Sequence, residues 1–322
     1  MTRALIVGIS GQDGAYLAAQ LLRRGYEVSG SSRDAQLASF ANLERLGILQ
    51  QVRMESISPG DFRSVLQALQ RTEPDEVYFL AGQSSVGLSF AQPVETLDSI
   101  AVGALNLLEA IRFTGRPVRL YHAGSGECFG DMAGLADEET PFRPRSPYAV
   151  AKATATWLVA NYREAYGIHA CTGILFNHES PLRPERFVTR KIVAGVCRIA
   201  AGKARKLSLG NLAIRRDWGW APEYTEAMWR MLQQPEPGDF VIATGASRSL
   251  QEFVACAFGA VGLDWREHVE SDPGLLRPTE LRGGAGDPRR ARERLGWTAT
   301  VGMEEVVARM VAAERGERGL EP

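Results

Sequence analysis

Ala4-Leu5-Ile6-Val7-Gly8-Ile9-Ser10-Gly11-Gln12-Asp13-Gly14 stands near the start of the chain, and its reading decides the fold. Four β-prone apolar residues run into three glycines spaced three apart. A helical pattern follows through Leu17, Leu21 and Leu22 to Gly25, a helix stop, and Tyr26-Glu27-Val28 begins a second strand. Strand, glycine-rich turn, helix and strand within about 30 residues form the setting in which a dinucleotide binds. The glycines let the backbone turn tightly and approach a pyrophosphate, and the helix N-terminus favours its charge.

The same rhythm continues outward from this unit. A short apolar stretch near Val52, a helix with Val65, Leu66 and Leu69, and a strand Val77-Tyr78-Phe79-Leu80 come next. A helix is expected from about Thr96 to Phe113, then a strand from Val118 to His122. This alternation predicts an α/β protein, a Rossmann-type doubly wound parallel sheet. Beyond a strand at Ala170 to Leu175 the pattern loosens into short helices and strands, which predicts a smaller α/β carboxyl-terminal substrate lobe. Residues 1–176, with returning segments at about 212–244, are assigned to the sheet domain, and 177–211 with 245–322 to the lobe. The stripe Leu250, Phe253, Val254, Ala257, Phe258 and Val261 is core packing.

A chain of 322 residues with 45% apolar and 23% charged residues suits one such domain and lobe. The net charge of −1 argues against nucleic acid and anionic membranes, which need a basic surface. No apolar run approaches a membrane span, and no signal peptide precedes the first strand, so a cytoplasmic enzyme is expected. Cys128, Cys171, Cys197 and Cys256 lack metal-ligand spacing. They read as reduced thiols, and no metal is expected.

The chemistry lies in Ser146-Pro147-Tyr148-Ala149-Val150-Ala151-Lys152, read with Gly124-Ser125-Gly126-Glu127. Tyr148 and Lys152 are one helical turn apart. An ammonium close to a phenol favours the phenolate, so Tyr148 is expected to act as a base well below its usual pKa of about 10. Ser125 and Glu127 supply a hydroxyl and a carboxylate at a strand end. Together the four predict a hydride-transfer and elimination site. After the second strand, where an NAD enzyme carries an acid, Arg33 stands instead. Its fork suits a ribose 2′-phosphate, which favours NADP, with NAD left open by the neighbouring Asp34.

Phe176-Asn177-His178-Glu179-Ser180-Pro181, followed by Phe187-Val188-Thr189-Arg190-Lys191-Ile192, closely resembles the GDP-mannose 4,6-dehydratase family of the extended short-chain dehydrogenase/reductases. So do Leu209-Gly210-Asn211-Leu212, Arg216-Asp217-Trp218-Gly219, Glu226-Ala227-Met228-Trp229 and Gly11-Gln12-Asp13-Gly14. The resemblance implies that Tyr148, Lys152, Ser125 and Glu127 are catalytic. It places the cofactor on Gly8, Gly11, Gln12, Asp13, Gly14, Arg33, Leu80, Ala81, Gln83, Tyr148, Lys152, His178 and Arg183. It places the substrate on Ser84, Asn177, Val188, Lys191, Leu209, Gly210, Asn211, Arg216, Arg277 and Glu280, where several arginines suit a nucleoside diphosphate.

The implied reaction is that of a hydro-lyase, converting GDP-D-mannose to GDP-4-dehydro-6-deoxy-D-mannose by internal hydride transfer through bound NADP. A homodimer is implied, with a homotetramer as the alternative. Three departures stand out. The family's paired-arginine loop is reduced to Arg33-Asp34, and the acidic position expected after the third strand falls near Ser58. Gly124 and Gly126 predict an enlarged or altered sugar pocket. A dehydratase of another GDP-hexose or a heptose, a GDP-4-keto-6-deoxymannose reductase and a non-catalytic NADP sensor remain as alternatives. The sensor reading expects a degraded Tyr/Lys pair, and both residues are intact.

Overall fold

The computed structural model describes residues 1–132 and 134–316. Strands β1 (Arg3–Val7), β2 (Glu27–Ser32), β3 (Arg53–Ser56), β4 (Glu76–Phe79), β5 (Arg119–Ala123), β6 (Ala170–Leu175) and β7 (Asp239–Ile242) form one sheet. Its order is β3-β2-β1-β4-β5-β6-β7, and every neighbouring pair is parallel. The strand order reverses between β1 and β4. At such a point the connections leave on opposite faces and open a crevice at the carboxyl edge.

The helices follow from the alternation of β1. Ala4 and Ile6 enter a core shared with α1 (Gln12–Arg23), and Leu5 and Val7 enter one shared with α2 (Phe62–Thr72), α3 (Gly103–Thr114) and α4 (Pro147–Tyr166). Each such buried Leu or Ile contributes about 1.5–3 kcal/mol relative to an exposed one. The helix expected from Thr96 is built in three pieces. Pro93–Leu97 leads through a π turn at Asp98–Val102 into α3. The start of α4 is set by Ser146, whose Oγ accepts the Ala149 N–H at 3.1 Å, and by Pro147 at the first position.

Beyond β6 the chain forms a second, smaller sheet. Strand Asn177–Glu179 runs parallel to Trp218–Trp220, and Arg215–Asp217 pairs antiparallel with Ser247–Ser249. Helices α5 (Val188–Ala200), α6 (Ala221–Gln233), α7 (Leu250–Gly259) and α8 (Met303–Glu314) follow, with a short helix Arg289–Leu295 between the last two. Of these, α5, α7 and α8 enclose the lobe core around Ile192, Val196, Phe253, Phe258 and Met310. Helix α6 packs with α1 on the large sheet.

Two segments lie elsewhere than the expected division placed them. Arg215–Trp220 belongs to the small sheet, so the chain returns to the large one at Ala221 and not near 212. Ala291, Leu295 and Trp297 pack in the core of the large sheet. Trp297 stands edge-on to Tyr224 with centroids 5.7 Å apart, and its Nε1 donates to the Glu223 carbonyl at 2.8 Å. Among the described residues no helix is long and apolar enough to cross a membrane, and no group of His, Cys, Asp and Glu is arranged to hold a metal.

A Cβ at Gly14 would lie 2.6 Å from both the Gly8 carbonyl oxygen and Ile9 Cα, which are backbone atoms that have nowhere to move. Gly14→Ala is therefore expected to lower the unfolding free energy by about 1–3 kcal/mol, read from urea denaturation. A wild-type midpoint in the variant would contradict this close packing of α1 on β1.

Candidate active site

The crevice at the carboxyl edge is a cavity of about 580 Å³ between the large sheet and the lobe. Its wall reaches Asp13 in the first turn of α1, while Gly8, Gly11 and Gly14 lie outside the wall. Gly8 has φ +98°, and its N–H and that of Ile9 donate to the Ser31 carbonyl at 3.2 and 3.1 Å. A Cβ at Gly8 would strike Ala81 N at 2.8 Å. Gly11 differs, since a Cβ there would meet only the Gly8 carbonyl at 3.5 Å, and no side chain caps α1. Gly8 and Gly14 are thus required by packing, while Gly11 keeps the helix N-terminus open to an anion. These residues fit a dinucleotide pyrophosphate.

Gln12 is used differently from the expectation. Its side chain is 5% exposed and donates to the His178 carbonyl at 3.2 Å, while its Oε1 accepts from Ser180 Oγ at 2.8 Å. It binds α1 to the lobe and does not line the cavity. Asp13 and His178 do line it, and they face each other at 3.0 Å. His178 Nδ1 lies 2.7 Å from the Phe176 carbonyl, which can only accept, so that nitrogen carries a proton. Nε2 faces a carboxylate and carries one too, which makes the ring an imidazolium. Burial opposes the charge on His178, but Asp13 outweighs it and the pKa lies above the usual value. Burial would likewise raise Asp13, yet His178, Gln12 and Arg183 bring it down to about 2.

Tyr148, Lys152, Ser125 and Glu127 all face the same cavity. Lys152 is 6% exposed; its Nζ donates to the Ala123 carbonyl at 2.7 Å and lies 5.9 Å from the Tyr148 ring centroid. Burial lowers its pKa to about 8. The expected depression of the Tyr148 phenol is not found. Burial raises it above the usual value, and the hydrogen bond with Ser125 offsets only part of this. The reason is geometric, because the ammonium turns to a carbonyl and leaves the phenol oxygen to a neutral hydroxyl. Ser125 Oγ also accepts the Glu127 N–H at 3.3 Å, and Glu127 Oε1 lies 3.7 Å from Arg216 Nε.

Gly124 and Gly126, read as enlarging or altering the pocket, both line the cavity. A Cβ at Gly124 would meet Thr172 Cγ2 at 2.7 Å, and one at Gly126 would meet the Phe176 ring at 3.1 Å. The side from which each Cβ is missing is therefore occupied by protein.

The cavity is also lined by Leu80, Ser84, Asn177, Arg183, Val188, Lys191, Leu209, Gly210, Asn211, Arg216, Arg277 and Glu280. Lys191 Nζ donates to the Ser208 carbonyl at 2.8 Å. Arg216 is fixed through Nη1, which donates to the Arg215 and Leu281 carbonyls at 2.8 and 3.1 Å, while its buried Nη2 has no protein partner.

Arg33, Ala81 and Gln83 lie outside the cavity wall. Arg33 is 78% exposed at its side chain and pairs with Glu95 at 3.0 Å. Gln83 folds back, donating to the Ser85 carbonyl at 2.8 Å. Met132, Glu179, Thr189 and the roof residues Leu275, Leu276 and Leu281 also line the cavity, and the sequence reading missed them. Glu179 was within reach, since it stands two residues after Asn177 on one strand and so shares its face. Met132 and the roof carry no periodic signal.

The family model for GDP-mannose 4,6 dehydratase matches residues 5–310. GDP-mannose 4,6 dehydratase 1 of Arabidopsis thaliana is 48% identical over 320 residues, covering 96% of this chain and 88% of that protein. GDP-mannose 4,6-dehydratase of Sinorhizobium fredii is 44% identical over 336 residues, covering 96% and 95%. Among solved structures, UDP-glucose 4-epimerase of Thermus thermophilus in complex with NAD superposes with a TM-score of 0.86 at 26% identity, covering 98% and 99%. RMD from Pseudomonas aeruginosa, complexed with NADPH, shares the fold with a TM-score of 0.80 at 22% identity, covering 99% and 100%.

The Asp13–His178 pair gives stability a defined pH window. His178 is raised above its unfolded value of about 6.5, so its contribution is complete below that pH and is lost as pH rises through the folded value. Asp13 is depressed, so its contribution is present above about 3.9 and is lost as pH falls toward about 2. Asp13→Asn is expected to be less stable than wild type by on the order of 1–3 kcal/mol between about pH 4 and 6.5. The difference should narrow on either side of that range. Urea midpoints from pH 3 to 9 measure it, and a gap independent of pH would rule out the ion pair.

Proposed function

The chain belongs to the GDP-mannose 4,6-dehydratase family, and from that premise we propose how its cavity performs the family's hydro-lyase reaction, the dehydration of GDP-D-mannose to GDP-4-dehydro-6-deoxy-D-mannose. The observation that carries the proposal is that Glu127 shares one cavity with Tyr148, Ser125 and Lys152. A dehydrogenase needs the last three, and elimination of water adds the need for a carboxylate.

Tyr148 takes the proton of the sugar 4-hydroxyl, and Ser125 hydrogen-bonds the oxygen as it becomes a carbonyl. The 4-ketone acidifies C5–H. Glu127 removes that proton and delivers it to the 6-hydroxyl, which leaves as water; the proton that Tyr148 took from the 4-hydroxyl is then given to C5, which restores the base. When bound, the nicotinamide supplies the hydride acceptor for C4, the donor that returns hydride to C6, and in its oxidised form a positive charge that favours a phenolate. Lys152, Tyr148, His178, Asp13 and Arg183 would hold it, with the backbone at Gly11 taking the pyrophosphate. Arg216, Lys191 and Arg277 would hold the nucleotide diphosphate.

NADP is the proposed form of the cofactor. Asp34 is committed to its own turn, its Oδ1 accepting the Gln36 and Leu37 N–H groups at 2.9 and 3.1 Å, which leaves Arg33 as the exposed group after β2. The division into a cofactor domain and a sugar-nucleotide lobe, a cytoplasmic location and a homodimer belong to the same proposal. Exposed apolar residues on and beside α3 and α4, among them Val94, Val102, Phe113 and Trp157, support the homodimer.

Purified protein incubated with GDP-mannose and either NADP or NAD is expected to lose one water from the sugar with NADP, followed by mass spectrometry. GDP-heptose, CDP-sugars and dTDP-sugars serve as controls. Absence of dehydration would overturn the reaction for this chain, equal turnover with NAD would overturn the choice of NADP, and sedimentation as a single protomer would overturn the homodimer. Glu127→Gln is expected to lower dehydration by about 10²–10⁴-fold while 4-oxidation persists. Near-normal turnover of that variant would remove Glu127 from its role.

A further inference from the structure

Strand Asn177–Glu179 runs along the junction of the two halves, and its side chains point alternately to either side of it. His178 and the following Ser180 bond to α1 through Asp13 and Gln12. Glu179 faces the cavity wall and is 1% exposed. A carboxylate so buried requires compensation. One oxygen, Oε2, receives it from two places. It accepts Thr189 Oγ1 at 2.6 Å, in the first turn of α5, and it pairs with Arg183 Nε at 3.3 Å. Arg183 also stacks on the Phe187 ring, 4.0 Å from its centroid, and its buried Nε, within ion-pair distance of Glu179, makes no hydrogen bond.

We propose that Glu179 is a positioning residue that couples dinucleotide binding to sugar-nucleotide binding. One carboxylate oxygen sets Arg183 and also sets the start of α5, which brings Val188 and Lys191 to the other half of the cavity. A ligand that orders Arg183 therefore orders α5 through the same atom, and the second ligand finds its half already arranged. Coupling of this kind is reciprocal. The inference rests on the reading above, in which Arg183 serves the cofactor and α5 the GDP-sugar.

The test uses NADPH and GDP as probes, each titrated calorimetrically into the full chain with and without saturating amounts of the other. In wild type each is expected to tighten the other by about 5–150-fold. Glu179→Gln keeps the shape and an oxygen acceptor for Thr189 but removes the charge; NADPH should weaken by about tenfold and the coupling factor should fall to about 1. Thr189→Val removes the hydroxyl alone; coupling should fall while the affinity for NADPH by itself stays within about twofold.

No coupling in wild type, or wild-type coupling kept in either folded variant, overturns the proposal. If Glu179→Gln loses cooperative unfolding, Thr189→Val decides. Turnover of GDP-mannose by wild type separates the two readings. Turnover with unchanged coupling in the variants sinks Glu179 alone. Absent turnover, with coupling that disappears in the variants, sinks the dehydration and leaves Glu179 standing.

Discussion

A buried imidazolium holds the two halves of this protein in register. His178 donates to the Phe176 carbonyl on one side and to Asp13 on the other, so the first turn of α1 is tied to the first strand of the lobe. Taking both charges out of water costs several kcal/mol per ion, and only close, well-directed contact offsets it. A shift of the lobe would leave His178 buried without its counter-ion. The pair adds little net stability for its cost, but it penalises every arrangement except one. Glu179 and Arg183 repeat the device on the other side of the same strand. Two compensated charges on adjacent residues are why a cavity built from loops has a defined shape.

The charges inside the cavity follow another rule. Burial lowers Lys152 and raises Tyr148, so the protein by itself favours an uncharged phenol and a lysine that gives up its proton near pH 8. A phenol in that state is a poor base. The same low-dielectric surroundings make each added charge count for more than it would in water. A cationic ligand brought close would therefore act strongly on the phenol, and the base would become active when the site is filled. Lys152 then acts as part of a set of charges and not as the lone activator that its position one turn from Tyr148 suggested.

Much of this was legible in the chain because it rests on local rules. The glycine-rich turn into α1 announces itself by spacing, and so do Tyr148 and Lys152, one helical turn apart. The strand–helix rhythm predicted a doubly wound parallel sheet, and that sheet is present. What was not legible depends on partners distant in sequence. Gln12 reads as part of a phosphate loop, yet its side chain is claimed by Ser180 and by the His178 carbonyl. Trp297 reads as part of the lobe, but Tyr224 supplies the better surface on the large sheet. In each case a tertiary contact overrode a sound local inference.

The glycines beside Ser125 show how this bears on the sugar. Small residues next to a reacting centre invite the reading that the ligand fills the space. Here Phe176 occupies the room at Gly126, and its ring stacks on Phe129 with centroids 6.1 Å apart. The floor of the pocket is thus aromatic, and a separate segment forms its roof. That roof includes Leu275, Leu276, Arg277 and Glu280, and it meets Met132 at Gly284, where a Cβ would collide with the methionine methyl. Thr279 Oγ1 donates to the Arg145 carbonyl at 2.7 Å and the Arg282 N–H donates to Asp131 at 2.7 Å. The roof is therefore fastened to the loops that carry Tyr148 and Glu127. The side of the cavity beside Ser125 is thus set by packed aromatic rings, and the opposite side by a segment tied down at Arg145, Asp131 and Met132.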